Sequence, residues 1–241
     1  MKHISHKFDG TELPGRFGTN NKLMTELQEL ATYDTAKYFY NLEDSPQPEF
    51  IPSEEPETFA TLDASKALCR KEAFNHANIK DGYVAEYGVD NGNSFIQLCE
   101  HFKDNEVFGF DAFLGLPGGT WPGNTIHKGM FDYNGQIPFT VPNNGTIVNG
   151  WFDKTLPNFD YKKSVAKFLH IDCDVYSSTV DILTNSVGKI VPGTIIVFDD
   201  YCNHTNWRQG EWLAWQQFIQ KNNIKYKYLY VAGMAVALQV I

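Results

Sequence analysis

Short apolar runs alternate along most of the chain with stretches whose apolar positions recur every three or four residues. That alternation predicts strands interleaved with helices. The runs Val84 to Tyr87, Glu106 to Phe110, Thr146 to Asn149, Val165 to Ile171 and Thr194 to Phe198 read as strands. Helices are expected from Asp63 as a cap to about Lys80, with Ala67, Leu68, Phe74 and Ala77 facing inward. Others are expected from Asn93 or Ser94 to Phe102, from Thr179 to Ile190 behind a cap at Ser177 or Ser178, and from Gly210 to Lys221. Lys225 to Val231 and Ala235 to Ile241, parted by Ala232-Gly233, read as a hairpin. The order implies an α/β fold with a mostly parallel sheet and helices on both faces.

The first 62 residues break this rhythm and read as an appendage, followed by a catalytic or binding domain over 63–241. Within the appendage, Leu23 to Tyr40 carries helical spacing. Glu43 to Asp63 has no Lys or Arg and holds prolines at 46, 48, 52 and 56, so it is expected to be loop. It serves either as a solvated linker or as a lid or subunit contact, since long irregular segments in compact domains are often functional. A second loop is expected from Gly115 to Asn144, rich in Gly, Pro and Asn.

Composition narrows the partners. A formal net charge of −9 argues against a nucleic-acid backbone. No apolar run has the length of a transmembrane span, and Met1 to Asn20 lacks the apolar core of a signal peptide, so a cytoplasmic protein with no membrane partner is expected. Self-association is left as an option. Cys69, Cys99, Cys173 and Cys202 show no Cys-x-x-Cys spacing and are expected to be reduced and buried.

The chemistry gathers at strand ends. Glu86-Tyr-Gly-Val-Asp-Asn-Gly92 is a strand, a glycine turn and a helix start, where backbone can approach a ligand closely. Its Glu-x-Gly-x-x-x-Gly spacing differs from a dinucleotide fingerprint, and the carboxylate of Glu86 favours a ligand with positive charge. Asp111, about 25 residues on, stands where a ribose diol would be gripped, or caps a loop. Asp172, Asp199 and Asp200 end two further strands and offer hard oxygens of the kind Mg²⁺ takes. In an open α/β sheet these ends share one crevice. Carboxylates clustered there need a cation or hydrogen-bond donors to balance them. Asp174 is either an outer support of that set or the cap of the next helix. His204 is a candidate general base or an ordinary loop histidine, and His127 a weaker candidate. Tyr201, Trp207, Trp212 and Trp215 line a sugar pocket or fill the core.

These motifs, together with Phe108-Gly-Phe-Asp-Ala-Phe-Leu-Gly-Leu-Pro117, Gly150-Trp-Phe-Asp-Lys-Thr-Leu-Pro157, His170-Ile-Asp-Cys-Asp-Val-Tyr-Ser-Ser-Thr179 and Phe198-Asp-Asp-Tyr201, resemble the macrocin and mycinamicin (TylF-type) O-methyltransferases. Those are class I S-adenosylmethionine-dependent methyltransferases, and the resemblance covers roughly residues 64–241. It implies a Rossmann-like, seven-stranded sheet with an antiparallel last strand. It implies cofactor contacts from Glu86, Tyr87, Gly88, Ser94, Asp111, Trp151 and Asp172, with the last as ligand and possible proton acceptor. It further implies Mg²⁺ on Asp172, Asp199 and Asp200, and a sugar or other polyhydroxylated acceptor. Two alternatives stand beside it: a metal-dependent glycosyltransferase using Asp172-Cys-Asp174, disfavoured by Glu86, and a non-catalytic cofactor-binding module, which has no need of three metal ligands.

Overall fold

The computed structural model describes residues 21–42, 46–52, 59–117, 128–162 and 164–241; Trp121 and His127 lie outside them. Nine strands alternate with six α-helices among these residues. The strands are β1 (Glu49–Phe50), β2 (Tyr83–Tyr87), β3 (Val107–Asp111), β4 (Lys128–Phe131), β5 (Gly145–Asn149), β6 (Ala166–Ile171), β7 (Ile195–Phe198), β8 (Tyr226–Ala232) and β9 (Ala235–Val240). The helices are α1 (Asn21–Tyr40), α2 (Phe59–Phe74), α3 (Asn93–His101), α4 (Phe152–Thr155), α5 (Tyr176–Asn185) and α6 (Glu211–Asn222).

Eight strands form one sheet in the order β1-β8-β9-β7-β6-β2-β3-β5. Strand β9 runs antiparallel to both β7 and β8, and the remaining pairs are parallel. The sheet therefore has eight strands where seven were expected. The additional one is β1, in the proline-bearing segment read as loop. Prolines hold their neighbours extended, and here that backbone pairs with Tyr230 and Val231 on β8.

Alternation along the strands sorts the core into two layers. Tyr83, Ala85 and Tyr87 of β2 share a cluster with Ile182 and Leu183 of α5 and Ala214, Trp215 and Phe218 of α6. Val84 and Phe168 face the other way, onto Cys69, Ala73 and Phe74 of α2 and Phe95 and Leu98 of α3. Trp207, Trp215 and Tyr201 are core residues.

Several boundaries differ from expectation. Helix α2 begins at Phe59 and ends at Phe74, so Asp63 lies inside it and the expected domain boundary after residue 62 cuts through it. Its buried face is Ser65, Cys69, Arg70, Ala73 and Phe74; Phe74 faces inward as expected, as does Ala77 just beyond, while Ala67 is half-buried and Leu68 exposed. Small side chains at 65, 69 and 73 let the helix lie close on β8 and β9, and that contact sets its rotation. Helix α5 starts at Tyr176 behind an extended Val175, with no side-chain cap, so neither Ser177, Ser178 nor Asp174 has that role. It stops at Asn185, five residues short of expectation, where Ser186 donates its hydroxyl back to the Ile182 carbonyl. Helix α1 docks on the segment after β7: the Asn203 side chain accepts from Thr32 at 2.8 Å, and Arg208 pairs with Asp34 at 2.7 Å.

Candidate functional site

The five parallel strands β5, β3, β2, β6 and β7 end at one edge of the sheet, and the ladder continues one residue past four of them. Gly88 N–H donates to Phe110, Asp172 N–H to Tyr87, Asp199 N–H to Ile171 and Gly150 N–H to Asp111, each at 2.9 Å. These bonds fix the acid-bearing residues at one level, across four strand spacings or roughly 19 Å. At that edge opens a cavity of about 690 Å³, within the range of small-molecule sites. It is lined by nine aspartates (63, 90, 111, 153, 172, 174, 181, 199 and 200) against two lysines, 66 and 154, so it favours cationic occupants.

At the β2 end, Gly88 has φ +89°, and a Cβ placed on it would stand 1.7 Å from the carbonyl oxygen of Asp172. Only glycine permits that crossing of two strand tips. Asp111 organises the turn: Oδ2 accepts from the N–H groups of Val89 (2.7 Å) and Asp90 (2.9 Å), and Oδ1 from that of Phe113 (2.7 Å). Both lone pairs of Oδ2 are thereby taken, and Oδ1 keeps a second one to offer. The Tyr133 hydroxyl donates to Asp90 at 2.7 Å, and Phe139 packs against Gly92, so the loop before β5 is clamped to the glycine turn. Trp151 and Phe152, past β5, complete this end of the lining.

At the β6 and β7 end, the acids form a cluster. Ligand atoms of His170, Asp172 and Asp199 lie within 4.8 Å of one another, as do those of Asp172, Asp174 and Asp200. Lys66 of α2 reaches in, with Nζ 2.7 Å from Asp199 Oδ2 and 2.9 Å from Asp200 Oδ1. Arg70, one turn on, brings a guanidinium nitrogen to 3.7 Å from Asp199 Oδ1. Burial works to raise the Asp199 pKa, but Lys66, His170 and Arg70 prevail and hold it below the usual carboxylate range. Burial and the neighbouring Asp199 push Asp172 well above that range, against Lys66. Burial and Asp200 do the same to Asp174. Both keep part of their surface open to the cleft, where water tempers the effect. Glu211 is buried; its Oε2 accepts the Asp200 N–H at 3.0 Å and its Oε1 has no partner. The cluster thus holds more carboxylates than cations. Hard oxygen donors with that imbalance fit a divalent cation such as Mg²⁺.

Some expected site residues stand elsewhere. Glu86 is fully buried behind the lining, because β2 and β6 are in register at Glu86 and His170. Its Oε1 meets His170 Nδ1 at 2.7 Å, while His170 Nε2 lies 3.3 Å from Asp199 Oδ1. Burial and Arg70 act to lower the His170 pKa, and its hydrogen bonds with Asp199 and Glu86 outweigh them and raise it. Tyr87 stacks on Phe110 in the core, and Ser94 sits in the first turn of α3 outside the lining. The His204 ring is buried, its two nitrogens each 3.0 Å from a backbone carbonyl oxygen, of Thr205 and of Asp200, and it too stands outside the lining. Lys66, Arg70, His170 and Glu211 were not singled out in the sequence. A Lys-x-x-x-Arg pair on one helix face was the available signal, but nothing local ties it to acids 130 residues away.

Residues 85–201 match the profile of a methyltransferase domain family (Methyltransf_24). The chain is 36% identical over 172 residues to mycinamicin III 3''-O-methyltransferase of Micromonospora griseorubida, covering 61% of this chain and 67% of that protein. It is 24% identical over 187 residues to an 8-demethyl-8-(2,3-dimethoxy-alpha-L-rhamnosyl)-tetracenomycin-C 4'-O-methyltransferase of Streptomyces olivaceus, covering 68% and 71%. Its fold is similar to that of the calicheamicin methyltransferase CalS11, with a TM-score of 0.57 at 18% identity over 98% of this chain and 99% of that one.

Proposed function

Since the chain belongs to the macrocin and mycinamicin type of S-adenosylmethionine-dependent O-methyltransferases, we propose that it methylates a hydroxyl of a sugar or glycoside with Mg²⁺ assistance. The observation that carries this reading is one crevice uniting a glycine turn and Asp111 at one end with a cation-hungry aspartate cluster at the other. The names of the relatives, both acting on sugar-bearing compounds, support the acceptor class.

In this reading the donor lies along the strand tips from β5 to β6. Gly88 lets it approach the backbone, the spare lone pair of Asp111 Oδ1 takes a ribose hydroxyl, and Trp151 covers the adenine. The acidic lining offsets the charge of the sulfonium. Methyl transfer is an in-line displacement, so the acceptor oxygen stands opposite the sulfur at about 3 to 3.5 Å from the methyl carbon. Asp172 occupies the middle of the cluster and takes the proton released by the hydroxyl. Asp172, Asp199 and Asp200 would hold the Mg²⁺, which supplies positive charge that acidifies a hydroxyl. Lys66 on the cavity side holds Asp199 and Asp200 together, and His170 holds Asp199 from behind.

The test is transfer of a labelled methyl group from S-adenosylmethionine to a panel of glycosides, with and without chelator. Label on a sugar hydroxyl, lost with chelator and restored by Mg²⁺, is expected. Undiminished transfer in chelator would remove the metal from the account, and label on no hydroxylated acceptor would remove the acceptor class.

A further inference from the structure

Lys66 deserves a role of its own. Its Nζ stands 2.7 Å from Asp199 Oδ2 and 2.9 Å from Asp200 Oδ1, its side chain only 12% exposed, and it lines the cavity together with Leu62 and Asp63 of the same helix. The other oxygen of Asp199 is engaged from behind by His170, which is fully buried. Asp200 is pinned through its N–H by Glu211. Lys66 thus holds one carboxylate oxygen of each aspartate, Asp199 Oδ2 and Asp200 Oδ1, which a cation seated on both would also draw on. An ammonium and a divalent cation compete for these two oxygens, because their like charges repel at contact distance among partly buried groups. Lysine can give way: it is a compact charge on a flexible four-carbon stem. Arg70 cannot follow so readily, since its guanidinium is buried and also directed at Gln97.

Resting on the metal reading above, we infer that Lys66 is a positioning residue that stands in for the divalent cation. It holds Asp199 and Asp200 converged while the metal is absent, swings toward the cavity when the metal enters, and thereby weakens metal affinity. Without it only His170 and Arg70, both on Asp199, would offset the pair; with it the two stay converged, and the metal must displace an ammonium.

Manganese alone is the probe, followed by the paramagnetic resonance of free Mn²⁺ on wild type, Lys66→Met and Lys66→Arg, with thermal melting as the control for folding. Lys66→Met should bind Mn²⁺ about tenfold or more tightly than wild type, with Lys66→Arg closer to wild type. If Lys66 merely supported the aspartates, its loss would weaken binding by about 10- to 100-fold, as for other outer partners of metal ligands. Weaker or unchanged binding overturns the inference while leaving the metal reading intact. Absence of binding in wild type removes both. Should Lys66→Met not fold, acetylation of Lys66 in the wild type, followed by mass spectrometry, gives the answer: saturating Mn²⁺ should speed it, and an unchanged rate overturns the inference.

Discussion

Gly88→Ala tests whether the site depends on two strand tips crossing at backbone contact. The new methyl group meets two separate penalties. The residue sits at φ +89°, where an L side chain costs about 1–2 kcal/mol. It would also stand 1.7 Å from the Asp172 carbonyl oxygen, far inside contact distance. That oxygen belongs to backbone pinned by the Asp172 N–H to Tyr87 bond, so it cannot yield without moving β6, and overpacking of this kind costs about 1–3 kcal/mol. The sum is about 2–5 kcal/mol, which at about 2–4 °C per kcal/mol for a chain of this size lowers Tm by roughly 10 °C. Gly188→Ala is the internal control. Gly188 has φ +76° with nothing within 4 Å of its added Cβ, so it should show only the conformational penalty of about 1–2 kcal/mol. Urea unfolding of both variants gives the energies, and calorimetric titration with S-adenosylhomocysteine shows whether the turn still receives a ligand. Gly88→Ala should lose binding and stability together. Equal destabilisation by the two variants, with binding retained in Gly88→Ala, would refute the close-crossing argument.

Asp199→Asn should abolish metal-dependent transfer, leave S-adenosylhomocysteine affinity little changed, and destabilise the chain by about 3–5 kcal/mol, since it strands buried Lys66, Arg70 and His170; activity retained in chelator-treated, refilled enzyme would contradict this. For His170→Asn the sign follows from linkage. The folded pKa of His170 is raised above 6.5, so its stabilisation is full below that value and fades as pH rises through the folded pKa. The Tm gap between wild type and His170→Asn should therefore be wider at about pH 6 than at about pH 9, and a gap that grows with pH would reverse the assignment. Asn203→Ala removes the side-chain acceptor for Thr32, leaves the Asn203 carbonyl to accept from Gln28, and puts at φ +58° an alanine without the polar side chain that lets asparagine adopt this region. A loss of about 1–2 kcal/mol is expected, with faster proteolysis within α1; an unchanged cleavage pattern would show that α1 is held by other contacts.

The parts of the site legible in the sequence are those that local chemistry dictates. Alternating apolar runs gave the strand order its raw material, and acids immediately after such runs had to land at one sheet edge. Gly88 was readable because a turn that brings two strand tips together admits no side chain. Glu86 went the other way. It ends the same strand as Gly88, but its partner is chosen by cross-strand register with His170, a feature visible only once β2 and β6 are paired. Lys66 and Arg70 were hidden for a related reason: the rotation of α2 over β8 and β9 turns them onto the aspartates, and Leu68, the more hydrophobic residue, is left outside. Burial of Glu211 against the Asp200 N–H likewise depends on how α6 meets the end of β7.

Diffraction from crystals grown with S-adenosylhomocysteine and Mn²⁺, with the manganese located by its anomalous signal, tests the whole account at once. Expected are the ribose at Asp111, the homocysteine beside Gly88, and one manganese held by Asp172, Asp199 and Asp200 with Lys66 displaced. A nucleoside bound away from the glycine turn, or a cleft in which Lys66 still holds both aspartates and manganese sits elsewhere, would contradict it.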